Sequence, residues 1–190
     1  RSGNSFLLPT LTIEAAAFSE SNAWLGESRT VVGNHVGYWR EYAVTGGLEG
    51  ALALDEAGSL FGRVSGIGAG SQGLDAAGSN FDDEYPENLE LEDAYLGWRS
   101  GKLFPSLDEN ALELSVGKLA YAIGSGFLLR DGASDGGRRG AYWIAPRKAF
   151  YMTAVAKLQT GPYKVEGFYL KPNDEAFTST DVVGGNFEYT

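Results

Sequence analysis

Period-two alternation of apolar and polar residues constrains this chain more than any other feature. In Leu112–Lys118 one face holds Leu112, Leu114 and Val116, and the other holds Glu113, Ser115 and Gly117. In Ala149–Leu158, Phe150, Met152, Ala154, Ala156 and Leu158 oppose Ala149, Tyr151, Thr153, Val155 and Lys157. In Val182–Tyr189, Val183, Phe187 and Tyr189 oppose Asn186 and Glu188. Successive side chains of a strand point to opposite faces, so each segment reads as a strand with one apolar face. Helical periodicity is almost absent, and no apolar run approaches the length of a membrane helix.

Similar segments run from Thr10 to Phe18, Tyr38 to Leu54, Ser59 to Ala69, Leu89 to Arg99, Tyr121 to Leu129, Ala141 to Ile144 and Tyr163 to Lys171. With those above they make about nine or ten strand candidates, separated by Gly, Asp, Asn and Pro clusters. Asp55-Glu56-Ala57-Gly58 supplies a hairpin turn, as does Gly161-Pro162. Polar loops are expected at Glu20–Val36, Gly70–Asn88 and Asp131–Gly140. Leu89 and Leu91 fall out of phase with Ala94, Leu96 and Trp98. One extra residue at Glu92-Asp93, a β-bulge, restores the phase.

A soluble β-sandwich alternates in the same way, with its apolar face against a second sheet. Two features favour a barrel in lipid. The polar faces are rich in Gly, Ser, Thr and Ala, in a chain with 27 glycines. Aromatic residues gather near strand ends, among them Tyr38, Trp39, Trp98, Phe104, Tyr142, Trp143, Phe150, Tyr163 and Tyr169, as in the interfacial girdles of outer-membrane barrels. The expected fold is therefore all-β, an antiparallel transmembrane β-barrel of outer-membrane type, with residues 1–190 as one domain. Leu112, Leu114, Val116, Phe150 and Met152 are expected to face lipid. The strand count is low for a large barrel, and Glu188-Tyr189-Thr190 falls within strand pattern, so the chain is read as part of a larger barrel.

Several stretches resemble the alginate-export family of bacterial outer-membrane β-barrels. They are Leu91–Gly101 (Leu-Glu-Asp-Ala-Tyr-Leu-Gly-Trp-Arg-Ser-Gly), Leu114–Lys118, Ile123–Leu129, Arg139–Trp143 and Arg147–Phe150. The resemblance covers residues 89–190, about half the chain. It implies a large antiparallel barrel with a narrowed, charged lumen and a path for a polyanionic sugar.

The residues themselves point to the same kind of site. Arg130, Arg138, Arg139, Arg147 and Lys148 cluster around one loop, and Arg99 and Lys118 precede them on neighbouring strands. Converging on a lumen, they would hold carboxylates by charge and by two-pronged hydrogen bonds. The alternatives are solvated loop charges, or pairing in the lumen with Asp131, Asp135 and Glu113. The function expected is an outer-membrane porin or export channel for anionic solutes, oligo- or polysaccharides included. Its partners are outer-membrane lipid and the solute, with no cofactor, metal or turnover chemistry.

Other classes are weaker. The formal charge of −10 opposes nucleic-acid binding. The chain has no cysteine, which removes disulfides and thiol chemistry. The acidic run Asp82–Asp93 matches no calcium-loop spacing. Gly68-Ala-Gly70-Ser-Gln-Gly73 fits a dinucleotide-binding glycine pattern, but loop-like sequence rather than a helix follows it. His35 is the only histidine, and nothing near it resembles a nucleophile elbow. A soluble β-rich carbohydrate-binding domain and an outer-membrane hydrolase are the alternative functions.

Overall fold

The computed structural model describes residues 5–21, 36–74, 86–130, 139–173 and 180–190. Its elements are eight strands: β1 (Phe6–Ser21), β2 (Val36–Ala53), β3 (Ser59–Leu74), β4 (Glu87–Arg99), β5 (Leu112–Lys118), β6 (Met152–Thr160), β7 (Tyr163–Lys171) and β8 (Val182–Tyr189). Each pairs antiparallel with the next, in the spatial order β1 to β8. The result is one open meander whose edges are β1 and β8. Among the described residues there is no α-helix; a 3₁₀ turn at Asp55–Ala57 closes the β2–β3 hairpin.

Connections differ between the two ends. The β2–β3, β4–β5 and β6–β7 links occupy residues 54–58, 100–111 and 161–162 at one end. At the other end the β1–β2, β3–β4, β5–β6 and β7–β8 links span 22–35, 75–86, 119–151 and 172–181. The links at the first of these ends also bond to one another. Lys102 N donates to Glu56 O, the Trp98 indole to Ala57 O at 2.9 Å, and Gly161 N to Asp108 Oδ2 at 2.6 Å.

The registers carry the alternation across the sheet. Leu48 faces Val64, Leu96 faces Val116, Leu158 faces Val165 and Val165 faces Phe187. These residues, with Leu7, Leu11 and Ile13 of β1, form an exposed apolar face. Trp98, Tyr163 and Tyr189 flank it at the short-link end, and Tyr38, Tyr42 and Tyr169 toward the long-link end. The other face carries Glu41, Ser65, Ser71, Thr153 and Glu166, all buried. One face is thus bare and apolar, while the other buries polar side chains together with Trp39, Ala43, Ile67, Ala69, Val155, Phe168 and Leu170.

The cover is the β5–β6 link. Residues 139–145 lie across β2, β3 and β4, where Ala141 and Ala145 pack on Ala43, Ile67 and Ala69. At the link's other root, Tyr121 and Phe150 pack on Val155, Phe168 and Leu170. Tyr121–Leu129 and Ala141–Ile144, read from the sequence as strands, belong to this link. The first holds only the isolated bridge Ala122–Arg130. Gly124 and Gly126 have positive φ there, which extended pairing does not accommodate. Phe150 was expected on the apolar face; it is buried on the covered face instead. β6 begins only at Met152, and Phe150 N donates to Leu119 O in the link's return, so the strand's alternation does not reach it. Leu114, Val116 and Met152 lie on the apolar face as expected, with Leu112.

The bulge falls where the phase argument put it. Ser65 pairs with Asp93 and Gly66 with Leu91, so Glu92 is the extra residue. Leu89 and Leu91 thereby join Ala94, Leu96 and Trp98 on the apolar face. The dinucleotide-like glycines Gly68, Gly70 and Gly73 lie within β3.

Glycine also makes room for rings. Phe61 lies over Gly97, its cross-strand partner, and Phe168 over Gly184 in the same way. A Cβ at Gly97 collides with the Phe61 ring, which the Arg99 guanidinium caps at 5.2 Å. Gly97→Ala is expected to lower stability by about 1–3 kcal/mol through overpacking. Gly46→Ala, where a Cβ meets nothing within 4 Å, is expected to be neutral or mildly stabilising. Chemical denaturation in detergent micelles measures both; equal losses would contradict the ring-over-glycine account.

Candidate functional site

The covered face carries a ladder of opposite charges across neighbouring strands. Glu49 on β2 lies 3.9 Å from Arg63 on β3, which lies 3.2 Å from Asp93 on β4. Arg99 on β4 donates from Nε to Glu113 on β5 at 3.0 Å, and Lys157 on β6 approaches the same carboxylate at 3.6 Å. Lys164 on β7 sits 3.3 Å from Glu166 and 3.2 Å from Glu188 on β8. Asn186 donates to both of those carboxylates. Direct cross-strand registry builds most of this: Glu49 faces Arg63, Arg99 faces Glu113, Glu113 faces Lys157 and Lys164 faces Glu188. Opposite charges facing across strands stabilise the pairing, and one-residue slippage would break every rung together.

Height above the sheet separates the signs. From β4 to β7 the cations stand above the carboxylates. Arg99 and Lys157 are 43% and 36% exposed against 21% for Glu113, and Lys164 is 31% exposed against 2% for Glu166. On β8 the carboxylate is as high as its cation, with Glu188 33% exposed against 31% for Lys164. At β2–β3 the order reverses, with Glu49 at 44% above Arg63 at 30%.

A second polar cluster ties the β5–β6 link to the wall. Arg139 is fully buried, with Nη1 in contact with Glu92, Glu90 at 3.8 Å and the Ala145 carbonyl accepting from Nη2 at 2.7 Å. Glu41 accepts from the backbone N–H groups of Trp143 and Ile144 at 2.9 and 3.0 Å. Ser71 Oγ accepts from Ala141 N at 2.8 Å. The bulge turns Glu92 onto the covered face beside Arg139. At the other root, Tyr121 OH lies 3.5 Å from Glu166. Burial, then the Glu166 charge, pushes the Tyr121 hydroxyl up to about 12.

The cations singled out in the sequence divide between these roles. Arg99 is on the ladder. Arg139 holds the link, and Arg147 is buried beside it in the same loop. Lys118, at the end of β5, lies within electrostatic range of Glu90, Glu92, Arg139 and Arg147. Arg130 and Lys148 are exposed. Arg138 lies outside the described residues, as do His35, Asp82, Asp83, Glu84, Asp131 and Asp135. Lys157 and Lys164 were not singled out, although alternation put Lys157 on a polar face. The missing signal was cross-strand register, which shows each of them beside an acid. Among the described residues, no group of three or more acidic or histidine side chains is placed to hold a metal ion.

Comparison with protein-family models, curated proteins and solved structures finds no match to this chain.

Two outcomes test this geometry. Arg139→Ala leaves Glu92 without its buried partner and is expected to cost about 3–5 kcal/mol. It should also raise hydrogen exchange at the Ala141, Trp143 and Ile144 amides; unchanged protection would show that Arg139 does not hold the link. Tyr121 keeps its proton in the folded protein above pH 10, where an unfolded tyrosine ionises. Its contribution to stability is thus complete below pH 10 and lost as pH rises from 10 toward 12. In tyrosinate absorbance, Glu166→Gln is expected to move the last-titrating tyrosine to lower pH.

Proposed function

We propose that this chain forms the wall of an outer-membrane β-barrel channel that passes anionic hydrophilic solutes, oligosaccharides among them, without turnover chemistry. The observation that carries this reading is the bare apolar face of the sheet. A soluble monomer rarely exposes a contiguous apolar patch above a few hundred Å². Here exposed Leu, Ile, Val, Phe and Met residues run across all eight strands, from Leu7 to Phe187. Hydrocarbon is the solvent that suits such a face, and tyrosine and tryptophan at its margins suit the lipid–water boundary. The tight turns at 54–58 and 161–162 lie at one end and the long 119–151 link at the other, which agrees with the short periplasmic turns and longer outer loops of such barrels.

The reading carries a structural demand. β1 and β8 leave backbone donors and acceptors unpaired along the sheet's edges. Lipid does not tolerate open edges, so further strands must pair with them. The covered face then lines an interior that the β5–β6 link narrows. In that interior the raised heads of Arg99, Lys157 and Lys164 attract carboxylates, as charged rings do in selective pores.

The first test is location: the protein is expected in the outer-membrane fraction, extracted only by detergent. Recovery as a soluble monomer would defeat the proposal. The second is selectivity. In planar bilayers, replacing Arg99, Lys157 and Lys164 together by Gln is expected to move the reversal potential toward cation preference. These substitutions leave Glu113, Glu166 and Glu188 without their cations. Glu113→Gln, Glu166→Gln and Glu188→Gln are therefore added in a second variant that keeps the rungs neutral, and the two variants should differ in selectivity. Conductance with unchanged selectivity would remove the ladder from the solute's path.

A further inference from the structure

Trp143 is the one exposed tryptophan among the described residues, at 59%. It belongs to the polar side of the sheet. The β5–β6 link lies across that face, and Glu41 fixes Trp143 there by accepting from its backbone N–H at 2.9 Å. The indole lies 6.3 Å from the ring of Trp39, tilted by 42°. Trp39 is buried and stacks on Phe18, its cross-strand partner, at 4.8 Å. The two lower rings are a foundation, and Trp143 is the open end of the stack. Held by its backbone on one side and by a buried ring on the other, the indole is a fixed platform.

The neighbouring strand brings acids to it. Register sets Phe18 opposite Trp39 and Ala16 opposite Glu41, so Glu20 stands on this face two residues beyond Phe18, and Glu14 two residues beyond Ala16. Two residues of strand span about 7 Å. Both carboxylates are exposed, and neither is engaged in an ion pair among the described residues. In this they differ from the acids of the ladder, each of which faces a cation.

We infer that Trp143 is a stacking platform for a saccharide ring in the solute's path, with Glu14 and Glu20 as acceptors for its hydroxyls; this rests on the channel reading above and gives its solute a chemical class. A sugar ring has an apolar C–H face and a polar rim. The C–H groups carry slight positive charge and are drawn to the negative face of the indole, and covering both removes apolar surface from water. The rim hydroxyls stay free to donate to carboxylates, and such charge-assisted bonds are the stronger kind. A plain hydrocarbon would bring these acids no donors, and a small anion would be repelled by them. Carboxylates of an acidic oligosaccharide are left to the cations of β4 to β7, on other strands of the same face.

Maltohexaose, a neutral linear oligomer of glucose, is the probe. Titrated calorimetrically into the full chain, in micelles of a detergent without a sugar headgroup, it is expected to bind saturably where poly(ethylene glycol) of equal mass does not. Trp143→Ala is expected to weaken binding several-fold. Trp143→Phe, which keeps a ring, is expected to retain most of it, and Glu14→Gln/Glu20→Gln to lose a few-fold. Equal losses in the Ala and Phe variants, or equal heats from sugar and poly(ethylene glycol), overturn the platform. Planar bilayers separate this inference from the reading beneath it. Reversible block of the current by maltohexaose, weakened in Trp143→Ala, supports both. Current with neither block nor binding overturns the platform and leaves the channel. Binding with unblocked current puts the ring outside the solute's path and overturns the inference. Binding without any current keeps a saccharide site and removes the channel.

Discussion

Everything in this structure depends on which solvent touches which face of one sheet. Backbone hydrogen bonding is satisfied between neighbouring strands, so it sets no preference between faces. Side chains do. One face offers Leu, Ile, Val and Phe to its surroundings, and the other buries Glu41, Glu166 and Arg139. In water the first would drive association and the second would cost desolvation without return. On the channel reading, hydrocarbon outside and paired charges inside satisfy both faces. The ladder follows from that requirement: each carboxylate taken from bulk water must find a cation across the next strand.

The β5–β6 link meets the same requirement across β2, β3 and β4. A loop crossing the polar face brings backbone N–H groups that need acceptors, and Glu41 and Ser71 provide them. It brings Arg139, whose charge is balanced by Glu92 and Glu90. The acids of β2 and β4 thus act as mooring points, and Arg139 is the arginine of the loop that they hold. The cations left facing open space stand on strands further along, where the carboxylates beneath them are deeper.

Much of the wall was legible in the sequence, because alternation is a local property. β7 and β8 have the bounds their patterns suggested, and the bulge followed from one break of phase in β4. The hairpin at Asp55–Gly58 was announced by its turn residues. What stayed hidden was long-range. Tyr121–Leu129 has the apolar content of a strand, but its glycines adopt positive φ and its neighbours fold onto a wall already paired. Phe150 has the right parity for the lipid face but sits before the strand begins. The ladder needed register: Lys157 and Lys164 look like ordinary surface lysines until Glu113 and Glu188 are set opposite them. Arg139 and Arg147 look like pore charges until the burial of the loop is known.

The extra residue at Glu92 gives β4 an unusual vulnerability to a change of length. Losing one residue there would carry Leu89 and Leu91 to the charged side and bring Glu90 to the bare side in the same step. The arginine that anchors the loop would lose its acids just as the outer surface gained one. A single-codon deletion at this site would therefore act on the wall and its inner strap together. Gene variants with small insertions or deletions should be tolerated in the β1–β2 or β3–β4 links but selected against at this one position in mid-strand.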